Sequence, residues 1–287
     1  SPNLGEMDLF SRMQRLEFKG SELVEILTEQ EFDFKRSSKW MGDHTLFTIQ
    51  VVFLYIVSIH IIKDFMRERV PFKLTLPIQI WNLVVAVMSG VGAAAMTPEY
   101  LSTWYYRGYD ATVCSSRQEF FSGTGGVAVF VLTLARLPEF IDTYFIVLRK
   151  RPLLFIHWYH HAFTLFISWY GYSNLLPCSR HAIYVNALIH TVMYSYYFLC
   201  SLKITLPSLV ARLITIAQII QFCFIFYAVG HTTVIHYIMG VPCEIHDESI
   251  VLTWIMDLSY LYLFIDFYMN KYNGKTKRDE IRAFKTE

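Results

Sequence analysis

The sequence predicts an all-α membrane protein of seven transmembrane helices, and three observations carry that prediction. Of the 287 residues, 54% are hydrophobic and only 17% charged, a balance foreign to ordinary soluble domains. The apolar residues gather into seven runs, each close to the roughly 20 residues that a helix needs to cross the hydrocarbon core. Basic residues cluster beyond alternate ends of those runs, as expected of a chain that weaves through a bilayer. The 23 Phe and 19 Tyr suit helices that face lipid on one side and a packed interior on the other.

The spans are expected at about 45–62, 75–96, 126–148, 153–172, 182–201, 209–238 and 249–269. Residues 1–44 form an N-terminal segment that mixes acids, bases and short apolar clusters. It contains no continuous apolar core, so no cleavable signal is expected and the first span does the targeting. Residues 45–270 form the seven-helix domain and 271–287 a basic tail. Lys63, Arg67, Arg69 and Lys73 follow the first span, Arg149, Lys150 and Arg151 the third, Lys203 the fifth, and Lys271, Lys275, Lys277, Arg278, Arg282 and Lys285 the seventh. Alternation puts all of these on one side, which the positive-inside rule makes cytosolic, with the N-terminus in the lumen. Lys35, Arg36 and Lys39 run against this pattern. The far-side loops hold Cys114 and Cys243. Topology leaves open whether they bridge in an oxidising compartment or are two free thiols. A net charge of +1 with no basic low-complexity region argues against a nucleic-acid partner.

Ionisable residues inside a span are expensive and point to function. Arg136, Glu139 and Asp142 recur every third residue of the third span and are expected on one helical face. His157, His160 and His161 stand at i, i+3 and i+4 of the fourth. Asn186, His190, Tyr194 and Tyr197 follow at steps of four, four and three on the fifth, and Gln218 and Gln221 lie on the sixth. Measured from each cytosolic end, Asp142 lies about 9 Å deep, His160 about 11 Å, Gln218 about 14 Å and His190 about 17 Å. The polar stripes therefore meet at one level, which implies a cavity open to the cytosol. Plainer readings stand beside this one. Arg136 with Glu139 reads equally well as a packing ion pair, the glutamines as interhelical hydrogen-bond glue, and the tyrosines as an interfacial belt. Three histidines on one face, each needing a partner in low dielectric, weigh towards chemistry.

Two chemistries fit the cluster. H-x-x-H-H occurs in membrane di-iron oxygenases, which assemble several histidine boxes around their metals. Here His44, His60, His181, His190, His231, His236 and His246 form no second box. The alternative is acyl transfer, in which a buried, neutral imidazole attacks a thioester and splits a hard condensation into two easier steps.

The run Leu137-Pro138-Glu139-Phe140-Ile141-Asp142-Thr143, continuing to Leu148-Arg149-Lys150, is followed by His157-Trp158-Tyr159-His160-His161. Then come Asn186-x-x-x-His190-x-x-Met193-Tyr194-x-Tyr196-Tyr197 and Thr215-x-x-Gln218-x-x-Gln221. This ordered set resembles the ELO family of very-long-chain fatty acid elongases, over about residues 45–275. Arg136 stands where the family more often has Lys, so the charge is kept but the fork differs. Residues 1–43 match no motif.

The resemblance implies a seven-helix endoplasmic reticulum protein with a lumenal N-terminus and a cytosolic C-terminus. A cytosol-facing polar active site would lead into an apolar acyl tunnel. The implied reaction joins a long-chain acyl-CoA to malonyl-CoA, giving 3-ketoacyl-CoA, CO2 and CoA, with no cofactor and no metal. The implied catalytic set is His160, His161, His157, His190, Asn186 and Asp142, with His160 the expected nucleophile. Substrate contacts are expected from Arg136, Glu139, Arg149, Lys150, Tyr194, Tyr197, Gln218, Gln221 and Lys271. A Cys114–Cys243 disulfide is also implied. The Trp158-Tyr159 pair resembles the branch that handles saturated and monounsaturated chains. Implied partners are the lipid bilayer and the reductases and dehydratase of the elongation cycle, and self-association is left open.

Overall fold

Hydrocarbon offers no partner to a backbone N–H or C=O, so an apolar chain that enters it must satisfy those groups within its own helices. The structure, a computed structural model, describes residues 18–115 and 120–273. Its regular elements there are all helical. In chain order they are α1 (Gly20–Thr28), α2 (Phe34–Asp43), α3 (Thr45–Phe65), α4 (Thr75–Cys114), α5 (Gly123–Leu134), α6 (Phe140–Leu148), α7 (Phe155–Ser173), α8 (Pro177–Ser201), α9 (Ser208–Thr233) and α10 (Asp247–Tyr268). α9 and α10 each end in a wider turn, Val234–Ile238 and Met269–Asn273.

Among the described residues, four helices are long and apolar enough to cross a membrane: Thr45–Phe65, Thr75–Cys114, Ser208–Ile238 and Asp247–Tyr272. The expected count of seven is therefore not reached on length and composition alone. α7 and α8 have 19 and 25 residues, but the histidine box and the Asn186–Tyr197 stripe dilute their apolar character. α4 is longer than the expected 75–96 and runs to Cys114, turning at Gly108, where φ is +80°. That left-handed conformation is one a glycine adopts at little cost.

The expected third span, 126–148, is two helices and not one. Pro138 has no N–H to donate and its ring crowds the carbonyl four residues earlier, so α5 stops at Leu134 and α6 begins at Phe140. Between them the chain tightens into i→i+3 bonds: Arg136 N donates to Thr133 O at 3.2 Å, Leu137 N to Leu134 O at 3.0 Å and Asp142 N to Glu139 O at 3.1 Å. Arg136 and Glu139 thus lie in a break, and only Asp142 lies on a helix. Their three-residue spacing still aligns them, because side chains three apart eclipse in a tightened turn.

The two ends of the bundle differ. At one end the turn after α3 meets the turn after α6, where Lys150 Nζ donates to the carbonyls of Arg67 at 2.7 Å and Arg69 at 3.1 Å. Phe72 N donates to Leu148 O beside them. This is the basic end; the further tail charges Lys275, Lys277, Arg278, Arg282 and Lys285 lie outside the described residues. At the opposite end Cys114 is bonded to Cys243, and α1 and α2 pack across the bundle. Trp169 Nε1 donates to Met41 O at 2.7 Å, Ser37 Oγ meets Tyr172 OH at 2.8 Å, and Trp40 and Met41 are buried. Of the bases that run against the charge pattern, Arg36 pairs with Glu25 and Glu29 and Lys39 with Asp43.

Close approach makes α5 sensitive at one position. A Cβ on Gly126 would stand 2.0 Å from the carbonyl oxygen of Phe121, whereas one on Gly125 would meet its nearest neighbour, Ala95 O, at 3.6 Å. Gly126→Ala is expected to lose about 1–3 kcal/mol through overpacking against backbone. Gly125→Ala is expected to stay near wild type. Thermal unfolding of the two variants in one detergent checks the contrast.

Candidate active site

The site is assembled around the break between α5 and α6. Arg136 Nη1 donates to both carboxylate oxygens of Glu139, at 2.9 and 3.1 Å, and Nη2 donates to Asn186 Oδ1 at 2.6 Å. Glu139 in turn lies 3.6 Å from His190 Nδ1 and 3.9 Å from His161 Nδ1. All of these groups are buried or nearly so, with Arg136 and Glu139 both 4% exposed at the side chain. One ion pair thus touches the histidine box on α7 and the Asn186–His190 stripe on α8.

Three further contacts fix the surroundings. Asp142 accepts from Trp81 Nε1 at 2.8 Å and from Tyr194 OH at 2.6 Å, so each carboxylate oxygen already has a donor. Gln218 Nε2 donates to Met193 Sδ at 3.1 Å. Tyr260 OH donates to His160 O at 3.0 Å, meets Thr164 Oγ1 at 2.9 Å, and sets its ring 4.8 Å from the His160 ring. The imidazoles of His157 and His161 are 4.6 Å apart and those of His160 and His161 are 5.6 Å apart. His157 Nε2 and His160 Nδ1 are buried with no hydrogen-bond partner among the described residues. A buried polar atom without a partner is costly, so these two nitrogens mark the place where water or a ligand completes the site.

Two cavities meet here. A polar chamber of about 1650 Å3, its mouth included, is lined by His157, His160, His161, His190, Asn186, Asp142, Tyr194, Tyr197, Gln218, Gln221 and Asn82. It also touches Arg149, Leu154, Ser201 and Phe267, at the basic end of the bundle. A second space of about 670 Å3, its open parts included, is walled by Ile167, Leu176, Ile183, Ile225, Met256 and Tyr260 and runs towards the opposite end as far as Gly171 and Ser249. His160, Asn186, Gln221 and Phe222 line both. Along α7, the chamber extends about 9 Å from Leu154 to His160, and the tunnel about 16 Å more to Gly171.

Most of the sequence-predicted residues converge, but some occupy different places. Arg136 lines the head of the tunnel, and Glu139 lines neither space. Lys150 does not line the chamber, its ammonium being held by two backbone carbonyls. Lys271 lies over the rings of Phe267 and Tyr272, 5.1 Å from each, just outside the lining. Of the free cysteines Cys200 and Cys223, the first lines the chamber and the second does not. Sequence reasoning missed Trp81, Asn82 and Tyr260. A single Asn inside an apolar span was a usable signal for Asn82, under the rule applied to the other spans. One tyrosine among nineteen gave none for Tyr260.

The description of the GNS1/SUR4 (ELO) family matches residues 40–280. The chain belongs to the ELO family. Long chain fatty acid elongase 1 of Caenorhabditis elegans is 36% identical over 282 residues, 98% of each chain. Putative fatty acid elongase 3 of the same organism is 34% identical over 90% of this chain and 81% of its own length. Very long chain fatty acid elongase 6 of Homo sapiens is 31% identical over 89% of this chain and 97% of its own length. This ELO protein is accordingly a membrane protein with a role in fatty acid elongation. The matched region begins at Trp40, so it contains the whole convergence of cavities and little of the α1–α2 cap.

The ion pair at the centre of this ELO site gives a stability prediction. Arg136→Met strands the Glu139 carboxylate and is expected to cost about 3–5 kcal/mol, the penalty of an unpaired buried charge. Combining it with Glu139→Gln is expected to recover a large part of that loss. Thermal unfolding of the single and double variants measures the coupling.

Proposed function

We propose that this protein is the condensing enzyme of fatty acid elongation. It joins a long-chain acyl-CoA to malonyl-CoA and releases 3-ketoacyl-CoA, CO2 and CoA. The observation that carries this reading is the position of His160 at the junction of a polar chamber and an apolar tunnel. Such a junction suits a thioester whose CoA occupies the chamber and whose chain occupies the tunnel.

In the first stage an imidazole nitrogen of His160 attacks the thioester carbon, the C–S bond breaks, and the thiolate leaves with the proton that the acylated ring gives up. The products are an acyl-imidazole and CoA. Malonyl-CoA then takes the vacated chamber. Its C–C bond to the carboxylate breaks, CO2 departs, and the electron pair passes into an enolate. Asn186 and His190 are placed to stabilise that charge. The enolate carbon attacks the acyl carbonyl, the C–N bond breaks, and the imidazole nitrogen regains a proton from solvent. His157 and His161 position the nucleophile. No cofactor enters these steps.

The setting is the endoplasmic reticulum membrane, crossed seven times, with α5 and α6 together forming the third crossing and α7 and α8 the fourth and fifth. The basic end then faces the cytosol and the Cys114–Cys243 bond faces the lumen, whose oxidising poise suits it. Arg149 at the chamber mouth is placed to meet CoA phosphates. The chain is read as saturated or monounsaturated, from Trp158-Tyr159. The 3-keto product calls for reduction, dehydration and a second reduction, so reductases and a dehydratase are the expected partners.

Purified protein given a long-chain acyl-CoA without malonyl-CoA is expected to release about one equivalent of CoA and to carry the acyl group on the peptide containing His160. Adding labelled malonyl-CoA is expected to yield labelled CO2 and 3-ketoacyl-CoA. His160→Ala is expected to lower condensation by about 10³-fold or more. Full-rate condensation by that variant sinks the assignment.

A further inference from the structure

Asn82 is the one amide of α4 in the run Ile80-Trp81-Asn82-Leu83-Val84-Val85, and the mechanism above does not use it. Its neighbour Trp81 donates to Asp142 Oδ1 at 2.8 Å, which fixes this turn of α4 against the site. Asn82 is 6% exposed and lines the chamber. Among the described residues its side chain has no hydrogen-bond partner. The other amides differ: Asn186 accepts from Arg136, Gln218 donates to Met193, and Gln221 lines both cavities. Asn82 belongs to the chamber alone, the part that an acyl chain seated in the tunnel leaves free.

We infer that Asn82 holds the carboxylate of the second substrate, a malonyl thioester, through its side-chain N–H; this rests on the condensing-enzyme reading. Charge is the argument for an amide at this place. In decarboxylation the negative charge leaves the carboxylate and moves to the enolate, so a cation fixed on the carboxylate would stabilise the ground state more than the transition state. The chamber offers little cationic competition: Arg149 stands at its mouth, and Arg136, which donates to Glu139 and Asn186, lines the tunnel head and not the chamber. Asp142 already accepts at both oxygens, from Trp81 and Tyr194. A neutral donor orients the malonyl group by hydrogen bonding and lets its charge go. Before bond cleavage the carboxylate accepts from Asn82 Nδ2; when the C–C bond breaks, its two oxygens leave within CO2 and the amide is free for the next turnover.

The test separates the two half-reactions. In Asn82→Leu, close in volume and without a donor, CoA release from long-chain acyl-CoA alone is expected to keep its rate within about twofold, while KM for malonyl-CoA rises about tenfold or more, as expected for losing one hydrogen bond to a charged group. Competition by acetyl-CoA, which lacks the carboxylate, is expected to be unchanged. Asn82→Ala is made in parallel, so that misfolding of one variant leaves the comparison intact, and Asn82→Gln is expected to restore part of the malonyl affinity. An equal loss in both half-reactions, an unchanged malonyl-CoA KM, or equal losses of malonyl-CoA and acetyl-CoA affinity overturns the assignment. Failure of the wild-type protein to release CoA from acyl-CoA alone counts against the covalent first stage. The difference between malonyl-CoA and acetyl-CoA binding still reports on Asn82.

Discussion

Everything around the site depends on a buried ion pair seated where a helix is interrupted. Pro138 ends the regular hydrogen bonding of the third expected span, and the tightened turns that follow bring Arg136 and Glu139 inward as neighbours. A charge in low dielectric must find a partner or be neutralised. The pair solves that by pairing internally, with Arg136 also donating to Asn186 and with His190 and His161 within 4 Å of Glu139; Arg136 Nε has no partner among the described residues. The guanidinium fork matters here, because a lysine ammonium has no planar geometry with which to address two oxygens of Glu139 and an amide of α8 together. Irregular backbone at membrane depth is tolerated where protein surrounds it, and α7 and α8 provide that surround.

The rest of the arrangement follows from which polar atoms are satisfied. Asp142, Asn186 and the Arg136–Glu139 pair are bonded to one another or to Trp81 and Tyr194, so they form a frame rather than a set of open ligands. His157 Nε2 and His160 Nδ1 have no such partner. Tyr260, bonded to the His160 carbonyl and to Thr164, holds that stretch of α7 from the other side. A hydrogen-bonded frame around imidazoles that keep an unpaired nitrogen is the condition for chemistry at defined positions, since the frame's own rotamers are held by hydrogen bonds and packing.

Much of this was legible in the sequence because helical spacing is a strong constraint. The i, i+3, i+4 pattern of His157, His160 and His161 and the steps from Asn186 to Tyr197 specify faces, and a rise of 1.5 Å per residue turns them into depths; the chamber lining follows both. Legibility ended where the backbone left the regular helix. The expected span 126–148 runs unbroken through Arg136–Glu139, as though Pro138 were tolerated within it, and the expected 75–96 stops short of Cys114 because that extension is not uniformly apolar. Lys150 was assigned by charge alone, and charge does not reveal that two carbonyls of another turn hold its ammonium. The α1–α2 cap carries no motif, since its role is the packing of Trp40 and Met41 against Trp169, which many sequences could achieve.

The geometry also orders the substrates on the proposed chemistry. The chamber touches the basic end of the bundle at Arg149, Leu154 and Ser201, and the tunnel begins only past His160 and Phe222. An acyl chain entering from that end must thread the chamber before its tail is seated, which requires the chamber to be empty of a second CoA ester. On the proposed chemistry, a thioester carbon at His160 puts its CoA in the chamber, and malonyl-CoA takes that place after the C–S bond breaks and CoA leaves. A covalent first stage permits that exchange: the chain stays anchored in the tunnel through His160 while one CoA ester replaces the other in a single space. Direct attack of malonyl-CoA on an intact acyl-CoA would need room for both CoA groups at one mouth. Two half-reactions in sequence, as proposed, use the shared junction of chamber and tunnel with one CoA ester in the chamber at a time.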